Sequence, residues 1–222
     1  DFARFIGSLL PALLWGVAFA NILRCIPTAP TMTYTGTLFT LLNPFALLGG
    51  LVTLTLFTLH GALFLSLKTD GVILERVQSW LKRLWPPVVV LVVAFVGFSL
   101  IETDLFVGFN LVQGIGLAVA VVALLAAGWM IWQGRLGRAF IGTGLTLVGT
   151  VVFLFGGLFP RVMPSSLGSQ FDLTIYNAAS SPYTLKVMSI VALVFVPVVL
   201  LYQGWSYWVF RKRVTMESHL EY

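Results

Sequence analysis

Charged residues, cysteine and histidine are all scarce in this sequence. Only 9% of its 222 residues are charged and 59% are hydrophobic, whereas soluble domains carry about 25% charged residues. Folded in water, such a chain would leave a large apolar surface exposed, so we exclude a water-soluble protein. Cys25 is the single cysteine, which excludes an internal disulfide and any C-x-x-C metal or redox motif.

Nucleic-acid binding and the common enzyme classes also lack support. The sequence pI is near 9.7, but the 13 Lys and Arg residues are scattered, as in the cytoplasmic loops of a membrane protein. The sequence contains no G-x-S-x-G, H-E-x-x-H, Walker A or G-x-G-x-x-G motif. We therefore expect no nucleic-acid partner and no catalysis by this chain alone.

Long apolar runs are what the sequence does have. Six segments are each apolar enough to suggest a membrane-spanning helix, which needs roughly 20 such residues. They cover residues 5–23, 41–67, 86–101, 111–132, 139–159 and 187–210. The predicted fold is all-α, a polytopic transmembrane bundle of six spans, with residues 1–222 forming one transmembrane domain. The chain opens at Asp1 without a methionine, so we expect upstream sequence to be missing.

The distribution of basic residues predicts the orientation. If the six spans alternate in direction, one side of the membrane receives ten Lys and Arg residues and the other side receives three. The three are Arg24, Arg161 and Lys186. The positive-inside rule assigns the richer side to the cytoplasm, so both ends of the chain are predicted to be cytoplasmic.

Two connecting segments have a character of their own. Residues 68–85 mix charges with apolar residues and are predicted to form an amphipathic helix on the membrane surface, before a short third span. That span is predicted to start at Pro86 and has room to extend into residues 103–107. Residues 159–181 form the longest outer loop, which we expect to be ordered by contacts rather than by regular structure.

His60 is the only histidine within a predicted span. A histidine in hydrocarbon needs a polar partner and suggests a functional role. It has three open interpretations: a haem ligand, a member of a proton or water network, or a hydrogen-bonded packing residue. Met130 and Met188 are the internal candidates for a second axial haem ligand, but no motif places them.

Other polar residues in or near the spans are few. Asn43 precedes Pro44 and is predicted to cap the helix that follows. His60 and Asn43 together are our candidates for an intramembrane polar network. Glu102 and Asp104 lie at the outer end of the third span and are expected to be solvated. The remaining acidic residues are placed in loops or tails: Asp1, Asp70, Glu75, Asp172, Glu217 and Glu221.

Three ordered blocks of sequence resemble subunit II of cytochrome bd quinol oxidases. The first is GSLLPALLWGVAFANILRCIP followed by YTGTLFTLLNPFALLGGLVTLTLFTLHGALFLSLKTDG. The second is LFPRVMPSS, and the third comprises LTIYNAASSPYTLKVM and VPVVLLYQGWSYWVF. The resemblance is weakest over residues 77–139. Asn177 and Tyr176 stand where the family commonly has Asp and Trp, so an ionisable group is not expected at that loop position.

The resemblance implies a specific biological setting. The family's second subunit has nine spans, of which these six would be the fourth to the ninth. The complex oxidises quinol and reduces dioxygen to water in the bacterial cytoplasmic membrane. Two haems b, one haem d and the quinol site belong to subunit I, the expected partner. Subunit II supports assembly and shields the haems, and holds no catalytic, cofactor-binding or metal-binding residue in this chain. Lipid and a small accessory subunit are further expected partners.

Two other classes remain as alternatives. A multi-span transporter or channel subunit would also combine Gly-rich helices with a histidine near the midplane, and predicts an internal repeat and discontinuous spans. An intramembrane protease would need a Ser–His or paired Asp constellation, which the spans do not supply to His60.

Overall fold

The computed structural model describes residues 2–29 and 33–213 and contains six long helices and one short helix in that part of the chain. Asp1, Glu217 and Glu221 lie outside the described residues. In order, the helices are α1 (Phe2–Arg24), α2 (Leu38–Leu41), α3 (Pro44–Lys68), α4 (Gly71–Glu102), α5 (Leu111–Trp132), α6 (Leu136–Leu158) and α7 (Pro182–Val209). All but α2 are long and apolar enough to cross a membrane, which confirms the predicted six-span, all-α fold.

Polar side chains fix where several of these helices begin. Asn43, Asn110 and Ser181 each accept a hydrogen bond from the amide three residues further on. Such bonds satisfy amides of the first turn that have no partner within the helix. Pro44 and Pro182 follow two of these caps at the position where a missing N–H does no harm. The predicted capping role of Asn43 is therefore confirmed.

Helix α4 differs from its prediction. Residues 71–102 form one continuous helix of 32 residues. The prediction of a surface helix over residues 68–85, followed by a span that starts at Pro86, was therefore wrong. Glu75 consequently lies in a helix rather than in a loop. Residues 103–107 form turns and do not extend the span. Pro86 and Pro87 deprive the carbonyls of Lys82 and Arg83 of their helical hydrogen bonds. The helix continues because both residues are exposed near the end of the bundle that carries most of the Lys and Arg residues, called the basic end below.

Close packing of α5 against α6, and of α1 against α3, organises the bundle, and α3 also contacts α4 and α6. Small residues allow the closest approaches. A Cβ atom built on Gly149 would lie 2.6 Å from the amide nitrogen of Ala120, and one built on Gly142 would lie 3.1 Å from the Cβ of Ala127. Helix pairs in lipid associate through such close contacts, because lipid tails already solvate apolar side chains. Gly142 and Gly149 therefore allow α6 to pack closely against α5.

The loop over residues 159–181 contains regular structure, whereas the sequence predicted order by contacts alone. Arg161–Met163 (β1) pairs in antiparallel fashion with Leu173–Thr174 (β2), and Ser169–Phe171 forms one 3-10 turn. A bridge from Ile26 to Ser165 joins the loop to the segment after α1. The loop is thus held by short strands as well as by side-chain contacts.

Helix α7 makes few contacts with the other described helices. None of its 28 residues is buried. Its contacts with α3 lie at the basic end, where Lys68 donates to the carbonyl of Phe210 and Phe64 meets Tyr207 edge to face. In the described chain, the residues of the two buried apolar clusters lie in the other five spans, apart from Leu105 in the turns after α4.

Candidate functional site

His60 lies against α6, where it meets a threonine and a phenylalanine. Its Nδ1 is 2.7 Å from Oγ1 of Thr143, and its ring stacks on Phe140 with centroids 4.4 Å apart. Thr143 is fully buried, and its hydroxyl also donates to the carbonyl of Phe140 at 3.0 Å. Since a hydroxyl has one hydrogen, this arrangement makes Nδ1 of His60 the donor and leaves Nε2 as an acceptor.

The hydrogen bond and the ring contact of His60 do not bring it to either methionine considered as a second axial haem ligand. Its hydrogen bond and ring contact involve Thr143 and Phe140, and neither candidate methionine takes part. Met130 packs beside a buried cluster, whereas Met188 is 59% exposed on α7. Within residues 2–29 and 33–213, no group of three His, Cys, Asp or Glu side chains is placed to hold a metal ion.

Asn43 belongs to a different polar cluster, where α1 ends and α3 begins. Its amide nitrogen donates to Oδ1 of Asn21 at 2.9 Å. Asn21 is buried and donates in turn to the carbonyls of Val17 and Leu41. His60 lies 17 residues beyond Asn43 on the same helix, a separation of about 25 Å at the helical rise. The structure therefore brings each candidate to its own partner and does not join the two in one network.

Glu102 and Asp104 are not simply solvated, which corrects the sequence-based expectation. Arg24 donates to Glu102 at 2.8 Å, and Arg161 donates to Asp104 at 2.6 Å. The hydrogen bond to Asp104 raises the pKa of the Arg161 guanidinium above its ordinary value. These pairs connect the ends of α1, α4 and α6 at the end of the bundle opposite the basic end.

Asp172 anchors the outer loop beside these ion pairs. Its side chain is buried and accepts a 2.7 Å hydrogen bond from the amide of Ser165. Cys25 is half-buried nearby, immediately after α1. Burial raises the pKa of the Cys25 thiol, and the negative charge of Asp104 adds to this effect. This outer cluster holds a loop in place and offers no unpartnered buried side-chain nitrogen or oxygen in the described residues.

Comparison with known proteins decides the family. A model of cytochrome bd terminal oxidase subunit II matches residues 1–210 of the chain. The chain belongs to this family. A relative from Bacillus subtilis (strain 168), cytochrome bd ubiquinol oxidase subunit 2, is 39% identical over 223 aligned residues, which cover 100% of this chain and 66% of the relative.

Two further relatives agree with the cytochrome bd family. Cytochrome bd-I ubiquinol oxidase subunit 2 from Escherichia coli (strain K12) is 30% identical, with 98% of this chain and 66% of the relative covered. A probable cytochrome oxidase subunit 2 from Haemophilus influenzae is 32% identical, with 93% of this chain and 63% of the relative covered. The chain thus spans just under two thirds of the length of these relatives.

Asn177 has a structural use that suits an amide. Its Oδ1 accepts from the amide of Thr174 at 2.7 Å, and its Nδ2 donates to the carbonyl of Asp172 at 2.9 Å. An aspartate at this position would lose the donor and face the Asp172 carbonyl with a second oxygen. The neutral residue therefore fits this loop.

Sequence reasoning missed two partners in the bundle of this cytochrome bd subunit. Thr143 was not singled out as a polar partner, although its hydroxyl meets His60. Arg161 was counted only for its charge, although it pairs with Asp104. The sequence does show that His60 and Thr143 are polar residues inside two spans. Nothing in the neighbouring sequence indicates that they lie at the same depth in the membrane.

Proposed function

We propose that this chain is the non-haem subunit of a cytochrome bd-type terminal oxidase that oxidises quinol and reduces dioxygen to water. It would work in the bacterial cytoplasmic membrane, with residues 1–222 acting as one transmembrane domain. The observation that carries the proposal is the family match over residues 1–210, together with relatives whose names specify a ubiquinol oxidase.

In this proposal the chain has a structural role beside a haem-bearing subunit I. Two haems b, one haem d and the quinol site would belong to that partner. Closely packed small residues support a role as a rigid helical wall that shields the partner's haems. A small accessory subunit would be a further partner.

Oxygen consumption in membranes tests the division of labour. Membranes that contain this protein without subunit I should show no quinol-dependent oxygen uptake and no haem bands above those of empty membranes. Coexpression with subunit I should restore both signals, because the proposed redox centres lie in the partner. Quinol-dependent turnover or a haem spectrum from this protein alone would contradict the proposal.

We also propose that the start of α1 and the end of α7 lie on the cytoplasmic side, in keeping with the ten-to-three division of Lys and Arg residues. A reporter active only in the cytoplasm should give a signal when fused after Tyr222 and none when fused after Ser169 in the outer loop. A periplasmic reporter at the same two sites is the control and should give the opposite result. Signals with the sides exchanged would refute this orientation.

A further inference from the structure

We propose that the basic end of the bundle holds the headgroup of an anionic phospholipid. A cavity of about 540 Å³ lies there between the end of α3, the start of α4 and the turn from α5 to α6. Arg135, Arg138 and Arg213 line it together with Gln78 and the buried Ser66. The inference concerns membrane lipid and does not depend on the proposed reaction.

The three arginines share this cavity without a compensating carboxylate. Across the described part of the chain, the ion pairs found are Arg24–Glu102 and Arg161–Asp104, both on the opposite side of the bundle. None of the three cavity arginines makes a side-chain hydrogen bond or an ion pair with a described residue. Guanidinium groups bind phosphate oxygens in pairs of parallel hydrogen bonds, so an anionic headgroup would satisfy the uncompensated charge.

The start of α6 adds further donors to the same cavity. The first helical hydrogen bond here runs from the amide of Ala139 to the carbonyl of Arg135. The amides of residues 136–138 therefore precede the hydrogen-bonded ladder, and the side chain of Arg135 does not cap them. Free amides at the start of a helix attract anions. The amides of residues 136–138 lie beside the cavity arginines, so both groups would act on the same anion.

A second cavity makes a lipid, rather than a free anion, the fitting occupant. An apolar groove of about 610 Å³ runs between α5 and α6, and Arg138 lines both this groove and the basic cavity. The groove follows α5 from Met130 to Ala118, about 18 Å at the helical rise. That length exceeds half of the hydrocarbon thickness of about 30 Å. Headgroup and acyl chain would thus find adjoining sites of matching polarity. The apolar walls of the groove include Val119, Val122, Ile141 and Leu145.

A lipid titration of the full-length protein, purified with any subunit that accompanies it, tests the site. The protein is delipidated in neutral detergent, and bound lipid is counted by native mass spectrometry after addition of phosphatidylglycerol or phosphatidylcholine. We expect phosphatidylglycerol to bind at least tenfold more tightly than phosphatidylcholine. The triple variant R135Q/R138Q/R213Q should lose that preference. Should the triple variant fail to fold, R138Q alone at its exposed position should still weaken phosphatidylglycerol binding severalfold.

Matched variants and a free anion separate this site from general charge effects. R76Q/K82Q/R83Q removes three exposed charges from the same end of the bundle without touching the cavity and should keep the preference. Val122→Trp should fill the groove and weaken phosphatidylglycerol binding while leaving the arginines intact. The proposal is overturned if the control triple loses the preference equally, if Val122→Trp has no effect, or if inorganic phosphate competes as well as the lipid does.

Discussion

Replacing Gly149 with leucine should prevent α5 and α6 from packing and remove most of the folded protein from the membrane. A Cβ atom at this position would lie 2.6 Å from the amide nitrogen of Ala120 and 2.8 Å from the carbonyl oxygen of Gly116. Both are backbone atoms, so no side chain can rotate to make room. Overpacking of a close contact typically costs 1–3 kcal/mol, and a clash between two helix backbones should exceed about 3 kcal/mol.

Gly61→Leu is the matched control for this substitution. Gly61 also lies inside a spanning helix, but nothing stands within 4 Å of a Cβ atom built there. It should yield a normal amount of protein that elutes as a single species in detergent and melts close to the wild-type temperature. Gly149→Leu should give little monodisperse protein. Equal yields and melting temperatures for the two variants would contradict the close α5–α6 contact.

Asp172→Ala should loosen the outer loop and expose the thiol of Cys25. The substitution leaves the buried amide of Ser165 without its acceptor, at a cost of about 1–3 kcal/mol. Residues on either side of Ser165 exchange hydrogen bonds with Ile26, next to Cys25, so loosening of one segment reaches the other. Because each 1.4 kcal/mol is a factor of ten, maleimide labelling of Cys25 should become on the order of tenfold faster.

The pH dependence of labelling gives a second measurement on the same variant. The thiolate is the reactive form, and burial is the largest cause of the raised pKa of Cys25. Opening the loop removes that cause, so the midpoint of the rate profile should move to lower pH. Asp172→Asn keeps an acceptor oxygen for Ser165 and removes only a charge that affects Cys25 less than burial does. A rate in Asp172→Asn as high as in Asp172→Ala would rule out the structural role of this acceptor.

The spans could be predicted from sequence because each depends on a local property. Apolar runs and cap residues such as Asn43 and Asn110 act within a few positions of the chain, and lipid forces any such run into a helix. Pro86 misled the prediction for a local reason as well. A proline commonly starts a helix, and only its exposed position near the basic end allows α4 to pass through it.

Contacts between distant residues could not be predicted in the same way. Glu102 meets Arg24 from 78 positions away, and His60 meets Thr143 from 83 positions away. Both pairs require two helices to pack at one angle and one relative depth, which depends on close contacts such as that between Gly149 and Ala120. A single sequence identifies the polar residues that need partners, but not which helix supplies each partner.

The exposure of α7 has a thermodynamic consequence for the described chain. A helix in lipid keeps its own backbone hydrogen bonds whether or not it touches a neighbour. Since no residue of α7 is buried, its attachment near Lys68 and Phe210 supplies little of the free energy that holds the other five spans together. Heating should therefore melt those five spans as one cooperative unit, while α7 remains an autonomous helix whose detachment scarcely changes the transition.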